Sequence, residues 1–129
     1  MKTENSNAKA VENNDKILLD TNMLLAVVQF KADVFSSKSF TLSSCIDELE
    51  KISKEKSKAG MSAKLILELL NKKKFPVSAT DKKGDTAIID YASKRGCAVA
   101  TNDKELIEKL KQRKVKVYRL RQKKMLVKA

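Results

Sequence analysis

The alternation of short apolar runs with segments of helical periodicity constrains the fold more than any other feature of the sequence. Ile17–Leu19 and Cys97–Ala100 are continuous apolar runs, which are typical of strands buried on both faces of a parallel sheet. Apolar residues at helical spacing follow the first run, beginning with Met23, Leu24 and Val27. Strands that alternate with helices are joined by right-handed crossovers. The sequence therefore predicts an α/β fold with a mostly parallel sheet of four to five strands.

The chain of 129 residues has the length of a single domain. Residues 1–15 are polar and lack any apolar period, so we predict a flexible tail there and one folded domain over residues 16–129. Pro76 places the predicted strand Phe75–Val77 at an edge of the sheet, because proline cannot donate a backbone hydrogen bond. Val115–Leu120 alternates apolar with basic residues, as a half-exposed edge strand does.

Composition limits the chemistry that is available. The 28 lysines and arginines outnumber the 16 acids and give a net charge of +12, which would gather a polyanion such as RNA or DNA. Solubility or association with ribosomes would explain the same excess. The sequence has no histidine, which excludes Ser–His nucleophiles, histidine-based RNA cleavage and imidazole metal sites. Any hydrolysis must therefore use carboxylates, metal ions or lysine.

The two cysteines and the hydropathy profile bear on the compartment. Cys45 and Cys97 lie far apart in sequence, so neither a disulfide framework nor a thiolate zinc site is indicated. No apolar run approaches the ~18–20 residues of a membrane span, and the N-terminus lacks a signal-peptide core. We expect a cytoplasmic protein without membrane contact.

Four acids stand where a strand or loop gives way to a helix: Asp20, Glu48, Asp85 and Asp103. Asp20 ends the first predicted strand, and Asp103 follows the fourth. Ligands of open α/β sheets bind beyond the carboxyl ends of the strands, so these two carboxylates should face the same crevice. Glu48 and Asp85 lie at the starts of helices that open on that edge. We predict that the four carboxylates converge.

Crowded carboxylates repel one another and need a cation unless they share protons. Oxygen ligands without nitrogen or sulfur suit Mg²⁺ or Mn²⁺, and such an ion can activate water and offset charge on a leaving oxygen. A phosphodiesterase is therefore possible without histidine. Each acid alone has a simpler explanation, since Asp20 and Asp85 can cap helices. Asp103 can be stabilised by the positive N-terminal end of a helix, and Glu48 can be a solvated surface residue.

The residues beside the two acids at strand ends are polar: Thr21, Asn22, Thr101 and Asn102. They can cap helices, or they can support the site by holding water and phosphate. We favour capping, because these residue types are common at helix starts.

Four successive segments resemble the acidic motifs of PIN-domain nucleases: Ile17–Asn22, Ile46–Lys51, Gly84–Ile89 and Ala98–Leu106. Together they extend the resemblance over nearly the whole chain from Lys16 onward. The resemblance implies a three-layer α/β/α sandwich that cleaves RNA with Mg²⁺ or Mn²⁺. It assigns metal binding and catalysis to Asp20, Glu48, Asp85 and Asp103. Many relatives have two adjacent acids where this chain has Gly84–Asp85, a departure that weakens a second metal position or has no effect if Asp85 is the ligand.

The ending Val117–Lys124 further resembles an archaeal branch related to the PIN nucleases of ribosomal RNA processing and to VapC-like toxins. That resemblance implies an endoribonuclease that acts on ribosomal RNA or its precursor. A toxin ribonuclease of a toxin–antitoxin pair and a non-catalytic RNA-binding ribosome assembly factor remain open as alternatives. The corresponding partners are a second copy in a homodimer, an antitoxin or a ribosome assembly factor.

The end of the chain is denser in cations than the rest, and eight of them are predicted RNA contacts: Lys111, Arg113, Lys114, Lys116, Arg119, Arg121, Lys123 and Lys124. On an edge strand and its tail they can form a strip that leads phosphates toward the acidic crevice. Protection of a sheet edge would explain the same lysines. Tyr118 can stack on a base or pack in the core.

Overall fold

One sheet organises the computed structural model, which describes residues 15–129. Its strands in chain order are β1 (Ile17–Leu19), β2 (Ser39–Leu42), β3 (Val77–Ser78), β4 (Ala98–Ala100), β5 (Val117–Arg121) and β6 (Met125–Lys128). They lie across the sheet in the order β3-β2-β1-β4-β5-β6. The first five run parallel, and β6 runs antiparallel to β5. The predicted mostly parallel sheet is confirmed, with β1 and β4 paired at its centre.

Helices cover both faces of this sheet: α1 (Thr21–Gln29), α2 (Ser43–Ile52), α3 (Lys58–Lys73), α4 (Gly84–Arg95) and α5 (Lys104–Gln112). Successive residues of a strand point to opposite faces. Ile17 and Leu19 therefore pack with α1 and α3 in one core, whereas Leu18 packs with α4 and α5 in the other. The three-layer α/β/α sandwich implied by the family resemblance is confirmed.

The sheet has six strands rather than four to five, because a hairpin follows β5. The prediction that Val115–Leu120 forms an edge strand is wrong, since β6 pairs with β5 from Tyr118–Lys128 to Arg121–Met125. Gln122 and Lys123 have positive φ values of 54° and 61°, the backbone of a tight hairpin turn that Asn-Gly normally supplies. That dipeptide is absent here, so the turn gives no signal in the sequence.

The other predicted edge and the start of the domain are close to their expected places. The strand predicted over Phe75–Val77 is β3, and it lies at the sheet edge opposite β6.

The predicted tail lies outside the described residues, except for Asp15. The Asp15 carboxylate pairs with Lys116 Nζ at 3.3 Å and accepts a hydrogen bond from the Tyr118 hydroxyl. Asp15, which the sequence assigned to the tail, therefore contacts β5 and the residue before it. Over residues 15–129, no helix is long and apolar enough to cross a membrane.

Candidate active site

Asp20 follows β1 directly and caps the start of α1. Its Oδ1 accepts a hydrogen bond from the Met23 backbone N–H at 2.8 Å, and the residue is 7% exposed. Burial raises the pKa of this carboxyl to about 6, against hydrogen bonds from Thr101 and Met23, and the charges of Asp103 and Asp85 raise it further. Helix capping and membership of an acidic cluster are therefore not alternatives for Asp20.

Asp103 occupies the equivalent position after β4. It caps α5, because its Oδ1 accepts from the Leu106 N–H at 3.1 Å. The register of β1 and β4 places Leu19 beside Ala100, so the chain leaves the two neighbouring strands at the same level. Asp20 and Asp103 consequently lie at one edge of the sheet, as their positions after two apolar runs predicted.

Glu48 reaches this edge from the second turn of α2. Its side chain is exposed, and its Oε1 accepts a hydrogen bond of 2.8 Å from the hydroxyl of Thr21. Thr21 is the first residue of α1 and is 6% exposed. A buried hydroxyl therefore fixes an otherwise mobile carboxylate.

Asp85 stands in the first turn of α4. Burial raises its pKa above the ordinary value, and the charge of Asp103 raises it further, while Lys109 lowers it. The charges of Glu105 and Glu48 add smaller increases. The starts of three helices therefore bring their acids close enough to act on one another electrostatically.

A cavity of about 170 Å³ collects these acids. Its lining residues are Asp20, Thr21, Asn22, Ser44, Cys45, Glu48, Gly84, Asp85, Ile88 and Asp103. No lysine or arginine of the described chain is among them. The structure thus brings all four predicted acids to one cavity whose negative charge has no cationic partner in its lining.

The donor chemistry of this cavity fits a divalent ion. Carboxylate and hydroxyl oxygens are the ligands that Mg²⁺ and Mn²⁺ prefer, and the raised pKa of Asp20 reflects burial together with neighbouring negative charge. Across residues 15–129, no three acidic, histidine or cysteine side chains stand close enough together to hold one ion. Metal binding would therefore require these carboxylates to move toward one another.

The flanking polar residues have different roles. Thr21 and Asn22 line the cavity. Thr101 is fully buried, and its hydroxyl accepts from the Asp103 N–H at 3.1 Å. Asn102 is not in the cavity lining, because its Oδ1 accepts from the Leu120 N–H at 2.7 Å and so ties the end of β4 to β5.

Ser44, Cys45 and Glu105 were not predicted as site residues. Ser44 and Cys45 lie four and three positions before Glu48 on α2, a spacing that places side chains on one helix face and could have identified them. Burial raises the pKa of the Cys45 thiol. Glu105 follows Asp103 by two residues, and its charge acts on Asp85.

Three of the eight predicted RNA-binding cations have structural partners. Lys124 Nζ donates to the Phe30 carbonyl at 3.0 Å, and Lys123 Nζ lies 4.7 Å from the centre of the Phe30 ring. Lys116 pairs with Asp15. Tyr118 is 0% exposed, so it packs in the core and cannot stack on a base.

The predicted strip of cations does not lead into the acidic cavity along its whole length. Helix α5 begins beside the cavity, and its nine residues extend ~13 Å away from it. Lys111, Arg113 and Lys114 lie at the far end of this helix, and Lys116 precedes β5 at the edge where the parallel strands begin. Arg119 and Arg121 are exposed on β5. Four of the eight predicted cations, Lys111, Arg113, Lys114 and Lys116, thus lie where the parallel strands begin, at the end of the sheet opposite the carboxylates.

The fold and the order of the acids agree with a family match. Residues 17–123 match the family model described as a PIN like domain, and the chain belongs to this family.

Two archaeal relatives are similar over most of their length. Ribonuclease VapC9 of Archaeoglobus fulgidus is 37% identical over 115 positions, covering 81% of this chain and 84% of the relative. Ribonuclease VapC4 of Methanocaldococcus jannaschii is 35% identical over 122 positions, covering 84% of this chain and 92% of the relative. A solved domain of a functionally unknown protein from Methanocaldococcus jannaschii has a TM-score of 0.58 at 14% identity, covering 83% of this chain and 91% of that one. The last similarity concerns the fold alone.

Proposed function

We propose that this chain is an endoribonuclease that hydrolyses RNA phosphodiester bonds with Mg²⁺ or Mn²⁺. The observation that carries the proposal is the meeting of four acids from separate segments of the chain in one cavity: Asp20, Glu48, Asp85 and Asp103. Membership of the PIN-like family and two relatives that are named ribonucleases support RNA as the substrate.

Hydrogen bonds hold three of the four carboxylates at starting positions from which they would close on an ion. Asp20 and Asp103 are held by their capping bonds, and Glu48 is held by Thr21. Ile88 and Cys45 are buried and form part of the cavity wall next to the buried Asp20, whereas Glu48, Asp85 and Asp103 are exposed to solvent. Asp20, Glu48, Asp85 and Asp103 would hold the divalent ion, which would lower the pKa of water and offset negative charge on the leaving oxygen. No histidine is needed.

Cleavage of a labelled single-stranded RNA tests the proposal. We expect cutting with Mg²⁺ or Mn²⁺, no cutting with chelator, and a loss of at least ~100-fold in Asp85→Asn and Asp103→Asn, because each substitution removes a charged ligand. Asp47→Asn is the matched control, since Asp47 is exposed and is not in the cavity lining. Activity that survives chelator would overturn the metal mechanism. RNA binding without cutting would instead favour a non-catalytic RNA-binding factor.

For the cellular role, we propose a VapC-like toxin with an antitoxin as its partner. The names of the two relatives support this role, and ribosomal RNA processing is the alternative. Induced expression of the parent chain should arrest growth of the host cells, whereas expression of the Asp85→Asn variant should not. Co-expression of an adjacent antitoxin gene should relieve the arrest. Accumulation of ribosomal RNA precursors on deletion, without growth arrest on expression, would favour the processing role. Light scattering on the same preparations tests the expected homodimer.

A further inference from the structure

A second concave site lies at the edge of the sheet where the parallel strands begin. Its volume is about 430 Å³, and we call it the basic pocket, defined by Lys16, Ser37, Lys38, Ser39, Phe40, Pro76, Ser78, Tyr91, Arg95 and Cys97. Lys16 and Lys38 directly precede β1 and β2, and the pairing of Ile17 with Ser39 places them side by side. Asp20 follows the carboxyl end of β1, so the basic pocket lies where the parallel strands begin and the acidic cavity lies where they end.

Among the described residues, the lining of the basic pocket concentrates positive charge. Within residues 15–129 it contains Lys16, Lys38 and Arg95 and no carboxylate. Within residues 15–129, neither Lys16 nor Lys38 makes an ion pair. Neighbouring strands are only ~4.8 Å apart, so the two lysines repel each other at close range. An anion placed between them would relieve that repulsion.

The remaining lining suits a nucleic acid better than an acidic peptide. The Arg95 guanidinium lies 5.1 Å from the centre of the Tyr91 ring, which holds its plane in place. The Tyr91 hydroxyl donates to Ser78 Oγ at 3.1 Å, and its ring lies 5.6 Å from the Phe40 ring. A fixed guanidinium binds phosphate through two hydrogen bonds or stacks on a base. A peptide carboxylate would use the charges but not the aromatic wall.

We propose that the basic pocket binds the phosphodiester backbone of the RNA substrate at a position remote from the cut. The proposal rests on the proposed function, because it takes RNA as the ligand. Helix α4 connects the two sites, since Asp85 in its first turn lines the cavity and Arg95 at its end lines the basic pocket. Its twelve residues span ~18 Å. RNA that lies along α4 contacts both, and Lys111, Arg113 and Lys114 extend the same positive edge.

The test measures RNA affinity separately from cleavage. In an Asp85→Asn background, which should leave RNA intact, the triple variant Lys16→Gln, Lys38→Gln, Arg95→Gln is compared with a matched triple, Lys58→Gln, Lys64→Gln, Lys72→Gln. The matched lysines are exposed on α3, which packs on the other face of the sheet. Both triples lose the same net charge. Fluorescence anisotropy with a labelled single-stranded RNA gives the affinity between 50 and 200 mM salt, a range over which phosphate contacts are strongly weakened.

We expect the pocket triple to bind at least ~10-fold more weakly than its background. The slope of log affinity against log salt should become shallower by about 2, because each single-strand phosphate contact contributes about 0.7. The matched triple should lower RNA affinity by less than ~3-fold, because it only reduces the net positive charge of the whole protein. Lys16→Arg with Lys38→Arg keeps the charges and the Arg95 guanidinium and should keep most of the binding, whereas a folding defect would show as a lower melting temperature by circular dichroism.

Equal losses in the two triples would overturn the proposal, because net charge alone would then explain the binding. Unchanged RNA affinity in the pocket triple, with loss of binding to poly-glutamate, would assign the pocket to an acidic protein and also overturn it. The nuclease proposal is tested independently. If the parent chain fails to cut RNA but the pocket triple still weakens binding selectively, the basic pocket is supported and the nuclease activity is not.

Discussion

The hydroxyl of Thr21 donates a hydrogen bond of 2.8 Å to Oε1 of Glu48, which lies 27 residues further along the chain. The donor is buried at the start of α1, whereas the acceptor is an exposed side chain on α2. Long carboxylate side chains lose rotamer freedom when they are fixed in this way. Thr21 therefore meets that entropic cost before any ligand arrives and sets where Glu48 stands in the cavity.

Thr21→Val should lower metal-dependent RNA cleavage by about tenfold while the protein stays folded. Valine keeps the shape of threonine but removes the donor, so Glu48 is no longer oriented, and small displacements of catalytic groups reduce rates strongly. Cleavage rates measured at saturating Mn²⁺ check this expectation. Thr21→Ser restores a hydroxyl and should recover most of the rate. Full activity in Thr21→Val would show that the bond does not position Glu48.

Asp20→Asn should stabilise the metal-free protein at pH 8 but not at pH 4. Burial raises the folded-state pKa of Asp20 to about 6 from an ordinary value of 3.8, so the folded state binds the proton more tightly. The stability that this group contributes is fully present below about pH 3.8 and is lost as the pH rises through about 6. Asparagine can still accept the capping bond from Met23 and avoids that loss, which is on the order of 3 kcal/mol.

Urea unfolding of the parent chain and Asp20→Asn at both pH values checks the sign. Added Mn²⁺ should raise the melting temperature of the parent chain at pH 8 and have little effect on the variant. An equal gain in stability at pH 4 and pH 8 would contradict the assignment of the effect to the Asp20 charge.

The carboxylate cavity could be predicted because its geometry follows from strand order. Asp20 and Asp103 each come directly after a fully apolar run, and two such runs are the natural centre of a parallel sheet. Their neighbouring ends then define one edge. Glu48 and Asp85 were predicted only from their places near helix starts. That prediction requires only that these helices begin at the same end of the sheet, as right-handed crossovers between parallel strands arrange.

The positions of the cations could not be predicted in the same way. Closeness in sequence grouped Lys111 with Lys124, although Lys111 lies near the end of α5 and Lys124 lies in the turn after β5. Lys124 binds the carbonyl of Phe30 across 94 residues, a contact with no local sequence signal. The turn before β6 was not predicted, because Gln122 and Lys123 adopt a left-handed backbone that residues of their type rarely adopt.

Lys74→Gly should raise the free energy of unfolding by roughly 0.5–1 kcal/mol, because glycine adopts a left-handed backbone without steric cost. Lys74 ends α3 with φ 51° and ψ 48°, and its side chain is exposed. Lys72→Gly, within the same helix, should lower stability by roughly 1 kcal/mol. Urea unfolding of the two variants gives both numbers. Destabilisation by Lys74→Gly would mean that its side chain makes a contact worth more than the backbone strain.

Gly60→Ala should destabilise the protein by about 2 kcal/mol or more, although alanine is the better helix former by about 1 kcal/mol. A Cβ at Gly60 would lie 2.0 Å from the Glu55 carbonyl oxygen and 3.2 Å from that of Ile52. Ile52 ends α2 and Glu55 lies in the turn that follows it, so relief requires the start of α3 to move away from the end of α2 and this turn. Because α2 also carries Glu48, the folded fraction of the variant should cut RNA more slowly. Ser62→Ala on the same helix is the control and should change stability by no more than ~0.5 kcal/mol. Urea unfolding decides the point, and parent-like stability in Gly60→Ala would show that the start of α3 can move away from α2 without cost.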